Sequence, residues 1–269
     1  MTTTPELLQE QVAGPAGSLH VDDGGSGGLP VVFVHSFSGS TAHWSAQLAH
    51  LREARRAVAL DLRGHGGSEP PAGDDYSIES MAGDVGAVAD ELGLERFVLV
   101  GHSLGGAVAS AYAGAHPERV AGLLLVGAPG KTPAKDAKEI MTAIKGDYEK
   151  VTEGYWKQLL AGAQPEVLEQ VRRDMAKVPR EAAVAMIRAT FEFDPLLALR
   201  AYPGPKLVVY TPHGDTPNAL HKQLPDVPHE LVTGTSHWLQ MDKPDDFNRI
   251  LDWFLAALDQ GRGVTPRPA

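Results

Sequence analysis

The chain contains no cysteine among its 269 residues. That excludes disulfide staples, thiolate nucleophiles and cysteine-ligated metals, and it removes one mark of a secreted protein. No apolar run reaches the ~20 residues that a membrane-spanning helix requires, so no membrane partner is expected. Met1 to Glu6 lacks a basic start followed by an apolar stretch; no signal peptide is read there, and a cytoplasmic location is the expectation. Positive charge is scarce as well, with 24 lysines and arginines against 34 aspartates and glutamates, a formal net charge of −10. Such a field repels phosphate backbones, and nucleic acid is not an expected partner. No H-E-x-x-H pair occurs, so no catalytic metal is expected.

What is present is the composition of a folded globular protein, long enough for one large core carrying an insertion. Short continuous apolar runs at 31–34, 57–60, 97–100, 123–126 and 207–210 read as buried parallel strands. Two further short strands, at 7–12 and 18–21, precede a glycine cluster at 24–28. Helical patterns alternate with the strands, among them 78–92 opened by Ser77 and 104–115 closed by His116-Pro117. This alternation implies right-handed crossovers and a parallel sheet covered on both faces. Between 131 and 200 the strands stop and every segment reads as helix, with Val167, Val171 and Met175 spaced four apart. The expected organisation is therefore a core in two parts, 1–130 and 201–260, a helical lid at 131–200, and a mobile tail at 261–269. Asp194-Pro195 starts the next helix as N-cap and first-turn proline, after which the sheet resumes.

Gly101-His102-Ser103-Leu104-Gly105-Gly106 stands between an apolar run and a helical one, the context that a G-x-S-x-G elbow requires. A strand turning sharply into a helix strains the serine backbone, and glycines two residues to either side let neighbouring main chain approach. A turn with an incidental serine is the bland alternative. A serine hydroxyl needs a base, itself oriented by a carboxylate. His237, in Gly234-Thr235-Ser236-His237-Trp238, follows the last apolar strand and is the expected base. Asp215, just after the 207–210 strand, is the expected acid; its rivals are Asp194 and an acid after the 123–126 strand, which offers no carboxylate before Asp136, and a plain helix cap is the bland reading. Upstream, His35-Ser36-Phe37-Ser38 leaves amides free after a strand. Acyl transfer builds negative charge on a carbonyl oxygen, and the amides of Phe37 and Leu104 are the expected oxyanion donors.

Together these segments resemble the α/β-hydrolase superfamily, within it the small lid-bearing carboxylesterases and cofactor-free haloperoxidase-like enzymes. Asp61-Leu62-Arg63-Gly64-His65-Gly66-Gly67-Ser68 is similar to that family's D-x-R-G-H-G-x-S segment, and His116-Pro117-Glu118-Arg119-Val120 to its helix-to-strand passage. The resemblance implies an α/β fold with an eight-stranded, mostly parallel sheet, no cofactor, and a monomer or homodimer acting on a small-molecule ester. Two departures stand out: Ser36 where the family has glycine after the histidine, and Pro212 three residues before Asp215. Dehalogenases and epoxide hydrolases of the fold place an aspartate at the elbow, which this chain does not.

The expected reaction is ester cleavage through an acyl-enzyme at Ser103. Ser36, Trp44, Met141, Trp156, Phe191 and Trp238 are candidate pocket residues, each equally explicable as packing. Perhydrolysis, lactone opening and carbon–carbon bond hydrolysis use the same groups and remain alternatives. So does a non-enzymatic small-molecule receptor on a hydrolase fold. His35, His43, His65 and His213 read as structural or surface residues.

Overall fold

A computed structural model describes residues 8–265. The first expected strand residue, Leu7, the segment Met1 to Glu6 and the last four residues of the expected tail lie outside the described residues. Strands β1 (Leu8–Gly14) and β2 (Gly17–Gly24) form an antiparallel hairpin, and β3 (Val31–Val34), β4 (Ala57–Leu60), β5 (Phe97–His102), β6 (Val120–Val126), β7 (Lys206–Tyr210) and β8 (His229–Leu231) follow. They make one eight-stranded sheet in the order β1-β2-β4-β3-β5-β6-β7-β8, parallel from β4 to β8.

The apolar runs are continuous because both faces of the sheet are covered. Successive side chains on a strand point to opposite faces. Val32 and Val34 of β3, Phe97 and Leu99 of β5, and Leu123 and Leu125 of β6 enter one core cluster; their alternate neighbours Val31, Phe33, Val98, Val100, Leu124 and Val126 enter the other. The helices supply the cover. They are α1 (Ser45–Leu51), α2 (Ile78–Glu91), α3 (Leu104–Ala115), α4 (Ala134–Gly146), α5 (Tyr148–Leu159), α6 (Pro165–Met175), α7 (Arg180–Glu192), α8 (Pro195–Ala201), α9 (Leu220–Gln223), α10 (Leu239–Asp242) and α11 (Pro244–Asp259). Ser77 caps α2 by accepting from Ser80 N, and Asp194 caps α8 by accepting from Leu196 and Leu197 N.

Helices α4 to α8 intervene between β6 and β7 without a strand. A Cβ on Gly114 of α3 would strike the backbone of Ala198, so α8, the last of them, lies against the core helix that the elbow opens. Among the described residues no helix is long and apolar enough to cross a membrane.

The strand order places the site. From β3 the chain moves to β4 on one side and to β5 on the other, so the loops after β3 and β5 diverge at a topological switch point, where open α/β sheets form their crevice. Val34 is in register with Gly101, which sets the segment starting at His35 beside the elbow.

Candidate active site

Ser103 stands at the end of β5 with φ 53° and ψ −115°, a left-handed conformation that a serine rarely adopts. Its amide donates to Val126 O at 2.8 Å, while its carbonyl accepts from Gly106 N at 2.8 Å and Ala107 N at 3.2 Å. The glycines make this turn possible. A Cβ at Gly105 would collide with the carbonyls of Val34 and His35, and one at Gly101 with the backbone of Gly105.

The Leu104 amide opens α3, and neither it nor the Phe37 amide donates a hydrogen bond among the described residues. The loop holding Phe37 is fixed from below. His35 donates from Nδ1 to Ser36 O at 2.7 Å and accepts Leu62 N at Nε2 at 2.9 Å. His65 accepts Ser38 N at Nε2 at 3.2 Å, and its Nδ1 lies 3.1 Å from Arg63 O. Burial pushes both rings down to about 3, so they act as neutral struts. Asp61 accepts Thr41 N at 2.6 Å and Gly67 N at 2.8 Å. Arg63 grips Asp84 with two bonds of 2.6 Å. The D-x-R-G-H-G-x-S segment is thus a clamp on the loop after β3. Sequence reasoning flagged the segment but not this task. Ser36 fits without left-handed strain: the non-glycine residues with positive φ among those described are Ser38, Asp74 and Ser103. Its hydroxyl is buried without a partner.

His237 comes to the same edge on a loop tied down at several points. Its amide donates to Leu159 O at 2.9 Å, and Ser236 N and Oγ both reach Asp242 Oδ2, at 2.8 and 2.5 Å. The imidazole lies over Gly127, where an added Cβ would stand 2.7 Å from Cε1 and 3.2 Å from Nδ1. Gly127 directly follows Val126, the residue bonded to the Ser103 amide, so ring and elbow are neighbours. Nε2 of His237 is buried and has no hydrogen-bond partner. Burial, and secondarily the charge of His213, push this ring down to about 4, which keeps it a neutral acceptor of protons at pH 7.

Asp215, the expected acid, makes no hydrogen bond to His237. After β7, Pro212–Gly214 form a single turn of 3-10 helix that carries Asp215 toward α9, where its carboxylate takes Lys222 Nζ at 2.6 Å and His221 Nε2 at 3.1 Å. The hydrogen bond from Lys222 holds its pKa below the usual value. Asp194, the rival, is occupied at the α8 cap. Among the described residues no carboxylate is hydrogen-bonded to His237.

A cavity of about 890 Å³ lies between the loop after β3 and the insertion, lined by Phe37, Trp156, Leu160, Leu168, Met175 and Val178 among others. Of the expected pocket residues, only Trp156 joins Phe37 there. Trp44 is wholly buried against Phe33 and Phe247 under the sheet. Trp238 is buried beneath Trp156 with Leu159, Val167 and Val171. Met141 and Phe191, on α4 and α7, stand away from this cavity, Phe191 O accepting from Lys131 Nζ. No group of three or more His, Asp or Glu side chains is placed to hold a metal ion among the described residues.

Comparison with known proteins adds the following. The sequence pattern described as alpha/beta hydrolase fold matches residues 30–175. The chain is 30% identical over 239 residues to the dihydrolipoyllysine-residue acetyltransferase component of the acetoin cleaving system of Cupriavidus necator, covering 84% of this chain and 63% of that one. It is 39% identical over 131 residues to 2-hydroxymuconate semialdehyde hydrolase of Pseudomonas sp. (strain CF600), covering 47% of this chain and 45% of that one. The chain therefore spans less than two thirds of these relatives' own length. Among solved structures it is similar to Est816, described as an N-acyl homoserine lactone degrading enzyme, with 28% identity and a TM-score of 0.79 over 91% of this chain and 100% of that one. It is equally similar in shape to a thermophilic esterase from Thermogutta terrifontis, with 25% identity and a TM-score of 0.79 over 93% and 99% of the two chains.

Proposed function

We propose a reaction on one premise: the chain belongs to the alpha/beta hydrolase fold family. It is a serine hydrolase that cleaves carboxylic esters of small or medium acyl groups through an acyl-enzyme. Ser103 Oγ attacks the carbonyl carbon while Nε2 of His237 takes the hydroxyl proton. The oxyanion is received by the amides of Phe37 and Leu104, the second at a helix N-terminus where partial positive charge gathers. The imidazolium then protonates the leaving alcohol. Water enters, gives a proton to His237, attacks the acyl carbon and releases the acid, restoring the Ser103 hydroxyl. The insertion acts as a lid, its cavity beside Phe37 receiving the acyl group.

The observation that carries this reading is the φ of 53° at Ser103, with an unbonded amide on each side of the crevice. Strain of that kind persists only where the surroundings over-determine it. The test is labelling by a fluorophosphonate together with p-nitrophenyl ester turnover. Wild-type protein should be labelled at Ser103, and Ser103→Ala should lose at least about a thousandfold in kcat. Turnover that survives Ser103→Ala would end the reading.

One likeness favours a second substrate class on the same groups. Est816, the lactone-degrading relative, points to cyclic esters, so N-acyl homoserine lactones belong in the panel. A receptor reading draws on the missing carboxylate at His237. Slow single turnover together with ligand-dependent binding to another protein would favour it.

A further inference from the structure

His102 precedes the nucleophile, is completely buried, and has no part in the reaction just described. Both of its ring nitrogens are committed. Nε2 lies 3.0 Å from the carbonyl oxygen of His237, and Nδ1 lies 3.2 Å from Nε2 of Gln240. A carbonyl can only accept, so the proton is on Nε2; Nδ1 is then the acceptor and the Gln240 amide donates to it. One tautomer and one amide orientation satisfy both bonds. Gln240 is itself buried, and its main-chain carbonyl accepts from Gln47 Nε2 at 3.2 Å.

His102 touches the base a second time. The two imidazoles pack with centroids 4.8 Å apart, and Trp238 meets the His102 ring edge-on at 6.0 Å. Gly127 also packs against the His237 ring, where an added Cβ would stand 2.7 Å from Cε1. The carboxylate that would otherwise select a ring orientation is turned away to Lys222 and His221.

We propose that His102, braced by Gln240, is the positioning residue for His237, fixing the base through its main-chain carbonyl and its ring face instead of through a carboxylate at Nδ1. The inference rests on the serine hydrolase reading, and it predicts a mutational pattern opposite to that of an acid-oriented base, where loss of the carboxylate is severe.

The test compares four variants of the full chain on p-nitrophenyl butyrate. His102→Phe keeps a ring but loses the donor. His102→Gln retains an amide N–H near the place of Nε2. Gln240→Met removes the brace. Asp215→Asn removes the charge at the expected acid. Displacement of a reacting group by about 1 Å costs on the order of a hundredfold, so His102→Phe should lower kcat about a hundredfold with KM within about threefold. His102→Gln should recover at least about tenfold of that loss, Gln240→Met should cost about tenfold, and Asp215→Asn should stay within about threefold. A His102→Phe enzyme within threefold of wild type, or a hundredfold loss in Asp215→Asn, overturns the proposal. If His102→Phe does not fold by circular dichroism, Gln240→Met decides alone, and an unchanged kcat overturns it. If wild-type protein neither turns over nor is labelled at Ser103, the hydrolase reading has failed. The positioning is then read from the imidazole ¹⁵N shifts of His237, which Gln240→Met must move for the proposal to stand.

Discussion

Nε2 of His43 lies 3.0 Å from Oδ2 of Asp174, joining the segment after β3 to helix α6 of the insertion. Both side chains are buried, and Asp174 also receives Gln170 Nε2 and Lys177 Nζ at 2.8 Å each. Burial opposes ionisation of that carboxyl, yet the bond from His43, with those of Lys177 and Gln170, holds it well below the usual carboxylate range. Removing one partner of a buried pair strands the other, at a cost of about 3 kcal/mol. Asp174→Ala should therefore lower stability to urea by about that amount. It should also speed amide hydrogen exchange across α6 more than across β5. Equal protection of α6 in both proteins would mean that the pair does not hold the insertion down.

Gly127 is the floor under the His237 ring. A methyl group there would stand 2.7 Å from Cε1, and the residue's φ of 53° disfavours any side chain. Gly127→Ala should move the base away from Ser103 and lower kcat by about a hundredfold, with a stability loss of about 1 kcal/mol. Steady-state kinetics beside a thermal melt separates the two effects. A variant that keeps wild-type turnover would show that the ring does not work from this position.

These two sites also mark where reading from sequence stopped. The strands from β3 to β7 were legible because burial on both faces writes an uninterrupted apolar run, and the strained turn at Ser103 because the elbow is a local steric demand answered by nearby glycines. The bounds 104–115 for α3 follow from the same elbow and from His116-Pro117. Asp215 failed for a different reason. Chain order places an acid after β7, but whether it reaches His237 depends on one turn, and Pro212–Gly214 winds the carboxylate past the site. Trp44 and Trp238 failed because a large aromatic residue near a motif looks the same whether it lines a cavity or fills the core beneath it. His43 with Asp174 and His102 with Gln240 were invisible because each joins residues more than a hundred positions apart.

Trp156 sets the reach of the cavity. Its ring stacks on Phe37 at 5.6 Å and 15°, and on Trp238 at 6.0 Å and 26°, a three-ring column from the loop after β3 into the insertion. Truncation to alanine opens space along that column, where each added methylene of a substrate buries about 0.8 kcal/mol of apolar surface. Trp156→Ala should therefore raise the ratio of kcat/KM for an octanoate over an acetate ester by about tenfold. An unchanged ratio would place the acyl group elsewhere.

Acid pH should unfold this protein before it titrates its base. The reaction requires neutral His237, whose pKa burial pushes down to about 4, so the base alone would keep kcat/KM level down to that pH. Stability follows another rule. His35 and His65 are pushed down to about 3, His237 to about 4, and His102 well below its ordinary value, all mainly by burial. In the unfolded chain the same rings titrate near 6.5. Their folded pKa values are depressed, so below 6.5 the unfolded state binds protons that the fold refuses, and stability falls as pH drops through the window from 6.5 toward 4. At pH 5.5 each ring costs on the order of 1 kcal/mol, several kcal/mol for the four together, against a typical total stability of about 5–15 kcal/mol. Asp61 and Asp84, whose pKa values burial raises, offset part of this only when their own titration range is reached. Urea titrations at pH 7.5, 6.5 and 5.5 should show an unfolding free energy that declines toward acid. A free energy independent of pH over that span would mean that these histidines are charged or exposed in the fold, and the neutral struts under the oxyanion loop would go with them.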